Sequence, residues 1–156
     1  MSKVMVIGAG PAGIMAAITA AENHNVVLVD GNEKIAKKLF ITGKGRCNIT
    51  NGKDIGDFFD YIPGNPHFLY SALYSFTNND VIEMIESEGT KLKIERGGRI
   101  FPESDKSSDI IKALSKKLSK AKVDIKLNSK VTDVFFENNT IKSVEINNNL
   151  EYNFNV

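Results

Sequence analysis

The hydrophobic pattern of the chain opens with two runs of consecutive apolar residues that are separated by a helical pattern. Residues 4–7 and 26–29 contain no polar side chain, which is typical of strands that are buried on both faces of a parallel sheet. Between them, residues 12–23 have apolar positions at helical spacing. These positions are Ile14, Ala17, Ile18 and Ala21. The order of strand, helix and strand predicts a βαβ unit.

The middle of the chain alternates shorter helices with short strands. The predicted helices cover residues 34–40, 66–76 and 80–88, and a fourth, amphipathic helix follows a cap at Ser108. We expect Asn79 to cap the third of these helices and Gly89 to end it. The predicted strands cover residues 91–95, 99–101 and 123–127. The first two are joined by Arg96-Gly97-Gly98, which indicates a hairpin, and the last extends the parallel sheet.

The C-terminal part changes to alternating strands that are separated by pairs of asparagines. The predicted strands cover residues 130–137, 140–147 and 150–155. Asn138-Asn139 and Asn148-Asn149 lie between them, and asparagine tolerates the positive φ of tight hairpin turns. The whole pattern predicts an α/β fold, in which a Rossmann-like parallel sheet with helices carries an antiparallel three-stranded β-meander.

The turn between the first strand and the first helix is a glycine fingerprint for a dinucleotide, Gly8-Ala9-Gly10-Pro11-Ala12-Gly13. Gly8 allows the tight turn, Gly10 lets the backbone approach a pyrophosphate, and Gly13 lets the helix pack close to the strand. Asp30 ends the second strand, where an acid accepts hydrogen bonds from an adenosine ribose. An acid there makes NADP the poorest fit, because it favours a free 2′-hydroxyl. The alternatives are an ordinary glycine turn and a merely solvated Asp30.

A second glycine-rich loop follows, with the sequence Thr42-Gly43-Lys44-Gly45-Arg46-Cys47-Asn48. Gly43 and Gly45 admit a close backbone approach, while Lys44 and Arg46 suit phosphate charge; the alternative for Arg46 is a solvated loop cation. A redox disulfide needs a second cysteine, and Cys47 is the single cysteine of the chain. We therefore interpret Cys47 as a partly buried neighbour of the cofactor.

Length and composition exclude several classes of protein. The 156 residues fit one domain with a sizeable core. The net charge is +1 and acidic and basic residues are interspersed, so the sequence has no basic cluster that would indicate binding of nucleic acid. The chain has no signal peptide pattern and no apolar run of membrane-spanning length, so we expect a cytoplasmic protein without a membrane partner. No metal-spaced cluster and no Ser/His/Asp set is present, so no metal site is expected and catalytic residues stay unassigned.

Three strings of the chain resemble one known family. They are the glycine fingerprint, residues 37–51 around the second glycine-rich loop, and Gly98-Arg-Ile-Phe-Pro-Glu-Ser-Asp105. They look like the bacterial NAD(P)/FAD-dependent oxidoreductases of the BaiN type, also called the aminoacetone oxidase family, within the two-dinucleotide-binding flavoproteins. The resemblance covers essentially the whole chain. It implies that the dinucleotide is FAD, and the meander favours a flavoprotein as well.

The resemblance also implies which residues would hold FAD. The fingerprint would bind the pyrophosphate, Asp30 the adenosine ribose, and the backbone of Val131 the adenine, while the second loop would run along the pyrophosphate. The full set of expected cofactor-binding residues is Gly8, Ala9, Gly10, Pro11, Ala12, Gly13, Asp30, Gly31, Lys38, Thr42, Gly43, Gly45, Arg46, Cys47, Asn48 and Val131.

The members of this family are much longer than the present chain. We therefore expect residues 1–156 to be the N-terminal portion of an FAD-binding domain, without the substrate domain and the rest of the FAD domain. The parent protein would be an FAD-dependent oxidoreductase that transfers a hydride between an organic substrate and FAD, with NAD(P)H or oxygen as second partner. The alternatives are an NAD-binding dehydrogenase domain and a non-catalytic nucleotide-binding fragment. An exposed sheet edge would allow self-association.

Overall fold

The computed structural model describes residues 1–153 of the chain. Two compact units are present. The first contains Met1–Lys38 together with the described residues from Lys117 onward, and the second contains Leu39–Lys116. None of the helices within residues 1–153 has both the length and the apolar character that crossing a bilayer requires.

The first unit contains the predicted parallel sheet. Its elements are β1 (Lys3–Ile7), α1 (Pro11–Ala20), β2 (Asn25–Val29), the start of α2 (Lys37–Ile41) and β6 (Asp124–Lys126). The strand order is β1-β2-β6, with β2 in the middle and all pairs parallel. Three of the four apolar residues of β2 are at most 4% exposed, because strands of such a sheet bury both faces. The prediction of a parallel sheet is confirmed.

The antiparallel meander completes the first unit. It consists of β7 (Val131–Glu137), β8 (Thr140–Ile146) and β9 (Asn149–Asn153), in the order β7-β8-β9. One apolar cluster contains Val27 and Val29 of β2 together with Val144 and Ile146 of β8. The meander is therefore anchored to the parallel sheet by burial of aliphatic side chains. Of the predicted last strand, residues 154 and 155 lie outside the described part of the chain.

The two turns of the meander use asparagine in the left-handed conformation. Asn138 and Asn139 have φ of +50° and +60°, as predicted. In the second turn the left-handed pair is Asn147 and Asn148, with φ of +53° and +61°. The prediction of Asn148-Asn149 for this turn is wrong by one residue, because Asn149 already pairs with Ile146 in the ladder between β8 and β9.

The second unit is built around a small antiparallel sheet. Its strands are β3 (Thr50–Asn51), β4 (Leu92–Glu95) and β5 (Arg99–Pro102), in the order β3-β5-β4. Its helices are the end of α2, α3 (Tyr70–Ser75), α4 (Asn78–Glu86) and most of α5 (Ser107–Lys120). Short 3-10 helices cover Thr42–Gly45, Ile55–Tyr61, Pro66–Leu69 and Arg96–Gly98. Ile100 and Phe101 of β5 are both 2% exposed, so this strand forms the centre of the unit.

Several helix boundaries differ from those expected. Helix α4 is capped by Thr77, whose side chain and backbone form a reciprocal capping box with Asp80, and Asn79 is not the cap. Helix α5 begins at Ser107, so Ser108 is its second residue and not its cap. The buried Ser107 hydroxyl instead donates to the carbonyl of Phe40, over 2.9 Å.

Other differences shorten, shift or split helices. The helix predicted over residues 34–40 is α2, Lys37–Ile41, because Ala36 before it has a positive φ of +52°. The first helix ends at Ala20 and is followed by a hydrogen-bonded turn, where helical structure was expected as far as residue 23. The region 66–76 divides into the 3-10 helix Pro66–Leu69 and α3.

Candidate functional site

The glycine fingerprint forms the turn between β1 and α1, and two of its glycines are required by the fold itself. Gly8 has φ of +99° and its N–H donates to the carbonyl of Val29 over 2.7 Å. A Cβ atom on Gly13 would lie 1.8 Å from the carbonyl oxygen of Gly8. Only a residue without a side chain lets α1 approach the end of β1 this closely.

Gly10 differs from these two glycines, because nothing in the fold requires it. Its φ of −76° and ψ of 175° suit any residue, and a Cβ atom there would have no neighbour within 4 Å. The space beside Gly10 is therefore open. A glycine in an open position leaves room for another molecule to approach the backbone closely.

The N-terminus of α1 opens beside Gly10. No side chain caps this helix, and its first turn contains no acidic residue. Pro11 occupies the first turn, where its missing N–H is not needed. The N–H groups of Ala12 and Gly13 and the positive end of the helix dipole therefore offer a site for an anionic group. The open space at Gly10 and these donors together fit a pyrophosphate.

Asp30 is held at the end of β2 by three hydrogen bonds. Its Oδ2 accepts from the N–H of Ala9 over 2.7 Å, and its Oδ1 accepts from the N–H and the side-chain amide of Asn32 over 2.7 and 2.8 Å. Partial burial raises the pKa of Asp30, but these hydrogen bonds and the charge of Lys37 outweigh it and lower the pKa below its ordinary value. The ionised carboxylate has about four acceptor positions, so capacity remains for a hydroxyl donor.

Asp30 and Gly31 contact the residues just before β7, the first strand of the meander. The N–H of Ser129 donates to the carbonyl of Asp30 over 2.8 Å. A Cβ atom on Gly31 would lie 3.1 Å from Cβ of Lys130, so the two segments are in close contact. Val131, the next residue, begins β7 and packs against the apolar cluster of the first unit. Asp30, Gly31 and Val131 are thus neighbours, whereas Lys38 is an exposed residue of α2.

In the second unit, the glycine-rich loop has an unusual backbone. Gly43, Lys44, Gly45 and Cys47 all have positive φ, of +55°, +58°, +84° and +62°. A Cβ atom on Gly43 would lie 3.2 Å from the ring of Phe101 and 3.1 Å from the N–H of Asn48. Gly43 therefore lets the loop pack directly on the buried ring of Phe101. In the orientation that satisfies its neighbours, the Asn48 amide donates to the carbonyls of Thr50 and Ile100.

Cys47 is fully buried beneath this loop. Its side chain is 0% exposed, which is more than the partial burial we expected. Burial raises the pKa of the Cys47 thiol, and a hydrogen bond to Thr42 opposes this only in part. The thiol is therefore protonated at neutral pH and is a poor nucleophile. This agrees with the absence of a redox role for Cys47, and its position beside the cofactor stays a prediction.

Arg46 of the loop belongs to a ring of four charges that local sequence patterns do not reveal. Its guanidinium lies 2.9 Å from Glu95 and 3.3 Å from Asp105, and Lys93 lies 3.6 and 2.7 Å from the same two carboxylates. The hydrogen bond to Glu95 raises the pKa of Arg46. Its guanidinium carbon also lies 4.2 Å from the centre of the Phe101 ring. The charge of Arg46 is thus balanced within the protein.

The partners of Arg46 are 49 and 59 residues away in sequence, so no spacing rule identifies them. In the sequence, this region is indicated only by the family resemblance of residues 98–105, which include Phe101 and Asp105. Among residues 1–153, no group of three or more His, Cys, Asp or Glu side chains is arranged to bind a metal ion.

Comparisons with known proteins relate the whole chain to one family. Residues 2–156 match the family model described as HI0933-like protein Rossmann domain. The 3-dehydro-bile acid delta(4,6)-reductase of Clostridium scindens is 36% identical over 128 residues, which cover 80% of this chain and 31% of that protein. The ribosomal RNA dihydrouridine synthase of Escherichia coli is 33% identical over 132 residues, which cover 83% of this chain and 32% of that protein.

Solved structures support the fold. Adenylylsulfate reductase from Archaeoglobus fulgidus superposes with a TM-score of 0.61 at 15% identity, covering 93% of this chain and 27% of that one. Thermovibrio ammonificans THI4 superposes with a TM-score of 0.60 at 14% identity, covering 94% of this chain and 47% of that one. The chain spans about a third of the length of the Clostridium scindens and Escherichia coli relatives named above.

Proposed function

The chain belongs to the HI0933-like protein Rossmann domain family, and from this premise we propose that it is the FAD-binding portion of a flavin-dependent oxidoreductase. The name of the Clostridium scindens relative, a reductase, supports this reaction class. Because the chain spans about a third of that relative, we also propose that residues 1–156 are the N-terminal portion of a longer FAD-binding domain and that the activity belongs to the longer parent protein.

One observation carries the proposal, namely the open space at Gly10 beside the uncapped start of α1. The fold explains Gly8 and Gly13 but not Gly10, and a pyrophosphate that approaches the backbone explains it. The donors at the first turn of α1 match the charge of such a group. A dinucleotide has a pyrophosphate at its centre, so it fits both features at once.

The remaining residues are assigned by their contacts and by the family resemblance. Asp30 would accept a ribose hydroxyl with the acceptor capacity that its three hydrogen bonds leave, and the backbone of Val131 beside it would meet the adenine. The loop residues Thr42, Gly43, Gly45, Arg46, Cys47 and Asn48 would run along the pyrophosphate towards the flavin ring. We also propose Gly31 and Lys38 as cofactor-binding residues, without assigning them to one part of FAD. Because Glu95 and Asp105 already balance Arg46, we propose that Arg46 acts by fixing the loop and not by adding net charge.

When bound, FAD supplies the hydride chemistry, and the protein supplies binding and orientation. We propose that the parent transfers a hydride between a small organic substrate and FAD, with NAD(P)H or oxygen as the second partner, in the cytoplasm. Within the described residues, β1 pairs with β2 alone, and Ile7 at its end is 55% exposed. We propose that this edge supports self-association.

Titration of the chain with FAD tests the cofactor. Flavin fluorescence and the visible absorption spectrum report binding, and NAD is added as competitor. We expect FAD to bind and NAD not to displace it. Displacement by NAD would favour an NAD-binding dehydrogenase domain. The same titration on the longer parent protein decides the matter: a parent that does not bind FAD contradicts the proposal and favours a different dinucleotide or none.

A further inference from the structure

A cavity of about 310 Å³ lies within the second unit, and none of its lining residues belongs to the glycine-rich loop. Its walls come from the end of β3 and the segment after it, from the 3-10 helix Ile55–Tyr61 and the residue that follows it, and from the turn Arg96–Gly98. The lining residues are Asn51, Lys53, Phe58, Tyr61, Ile62 and Gly97. This volume is at the small end of the range for ligand pockets, about 300–1,000 Å³. It therefore suits a compact molecule.

Most of the cavity wall is apolar, and its neutral polar groups are already paired. The Asn51 side-chain amide donates to the carbonyl of Gly97 over 2.8 Å, and its oxygen accepts from the N–H of Lys53 over 3.0 Å. The rings of Phe58 and Tyr61 and the side chain of Ile62 supply the apolar surface. A ligand would therefore gain little from the amide, but a flat apolar body would bury surface against the two rings.

Lys53 is the one ionised side chain among the six lining residues, and it is held in place. Its Nζ donates to the hydroxyl of Tyr61 over 2.6 Å and lies 4.0 Å from the centre of that ring. The hydrogen bond to Tyr61 raises the pKa of Lys53, so the ammonium is charged across the physiological range. The ammonium has three donors, and Tyr61 uses one of them. An anionic group beside the ammonium complements this charge.

We propose that this cavity, here called the Lys53 pocket, binds a small aromatic monoanion whose carboxylate contacts Lys53 and whose ring lies against Phe58 and Tyr61. Asp57 and Asp60 are near enough to act on Lys53 electrostatically, and they disfavour a dianion such as a phosphate ester. The proposal is independent of the FAD site, because its residues share no member with that set.

The test uses matched probes and two variants with opposite expected effects. Indole-3-carboxylate and its neutral carboxamide are titrated into the isotopically labelled chain, and amide chemical shifts of Lys53, Ile62 and Gly97 report binding. Lys53→Met removes the charge but keeps the aliphatic stem, and we expect the carboxylate to bind about tenfold more weakly or worse. Tyr61→Phe removes the competing acceptor and is expected to tighten binding of the carboxylate. Lys91→Met, which removes an exposed lysine of the same unit, is the matched control and leaves affinity unchanged.

The result that supports the proposal is a carboxylate that binds more tightly than the carboxamide, with the variants shifting affinity in the stated directions. Equal affinity for the two probes overturns it, as does a Lys53→Met protein that binds the carboxylate like the wild type. If Lys53→Met does not fold, Tyr61→Phe decides alone, because weaker or unchanged binding in that variant overturns the proposal. Chemical shift changes that map away from the Lys53 pocket overturn it as well.

Discussion

Replacing Asp30 with asparagine tests how the first unit holds its glycine turn. The two hydrogen bonds from Asn32 go to one carboxylate oxygen and the bond from Ala9 goes to the other. If the asparagine oxygen keeps the bonds from Asn32, its NH₂ group faces the N–H of Ala9 at the position where 2.7 Å now separates donor from acceptor. Two donors then oppose each other.

The expected loss follows from the burial of Ala9. Ala9 is 0% exposed, so its N–H has no water to replace the lost acceptor. A buried donor left unsatisfied costs about 1–3 kcal/mol, and we expect Asp30→Asn to lower the free energy of unfolding by that amount at pH 7. Urea unfolding followed by circular dichroism measures it. Asp124→Asn, which changes an exposed carboxyl on the same sheet, is the control and is expected to have little effect.

The same variant has a defined pH dependence. Because hydrogen bonds lower the pKa of Asp30 in the folded state, its stabilising contribution is fully present above the unfolded value of about 3.9. It is lost as the pH falls through the lower folded-state pKa. The difference between wild type and Asp30→Asn is therefore largest at neutral pH and shrinks in acid. An unchanged stability at pH 7, or a difference that does not shrink in acid, refutes this reasoning.

Three further measurements address other parts of the structure. Gly13→Ala forces a Cβ atom to 1.8 Å from the carbonyl of Gly8, so we expect a loss of about 3 kcal/mol or more in thermal unfolding; an unchanged Tm would contradict this packing. Glu95→Gln breaks a half-exposed pair with Arg46 and is expected to cost up to about 1 kcal/mol at low salt and less at high salt. A loss independent of salt would contradict a mainly electrostatic role. Light scattering tests self-association through β1, which a strictly monomeric profile at high concentration would exclude.

The first two strands of the first unit could be predicted because short runs of consecutive apolar residues indicate their burial. Consecutive apolar residues in 4–7 and 26–29 indicate strands that are covered on both faces, and both lie in the parallel sheet. Pairs of asparagines likewise indicated that the meander strands are joined by tight turns. The exact register of the second turn depended on which asparagine joins the ladder with Ile146, and three consecutive asparagines leave that open.

Helix caps were less predictable for a similar reason. Residues 77–80 read Thr-Asn-Asn-Asp, and all four side chains can cap a helix. The reciprocal bonds between Thr77 and Asp80 decide the matter, and they exist only once the turn has formed. The same limit applies to α5, where Ser107 and not Ser108 begins the helix.

Part of the candidate site could likewise be predicted from local sequence, and part of it could not. Gly8, Gly13 and Asp30 could be identified because the fingerprint lies between a strand and a helix at fixed spacing. The surroundings of Arg46 could not be identified in this way. Glu95 and Asp105 reach Arg46, and Lys93 reaches these two carboxylates, only through the pairing of distant segments. Nor does the sequence show that Asp30 also fixes the N–H of Ala9.

The FAD affinity of Gly10→Ala, measured beside its stability, tests the central claim most directly. A methyl group there meets no protein atom within 4 Å, so we expect the free energy of unfolding to change by no more than about 1 kcal/mol. The same methyl group occupies the space assigned to the pyrophosphate, and we expect FAD affinity to fall by about 100-fold or more, or about 2.7 kcal/mol. A Gly10→Ala protein that binds FAD like the wild type would contradict the account.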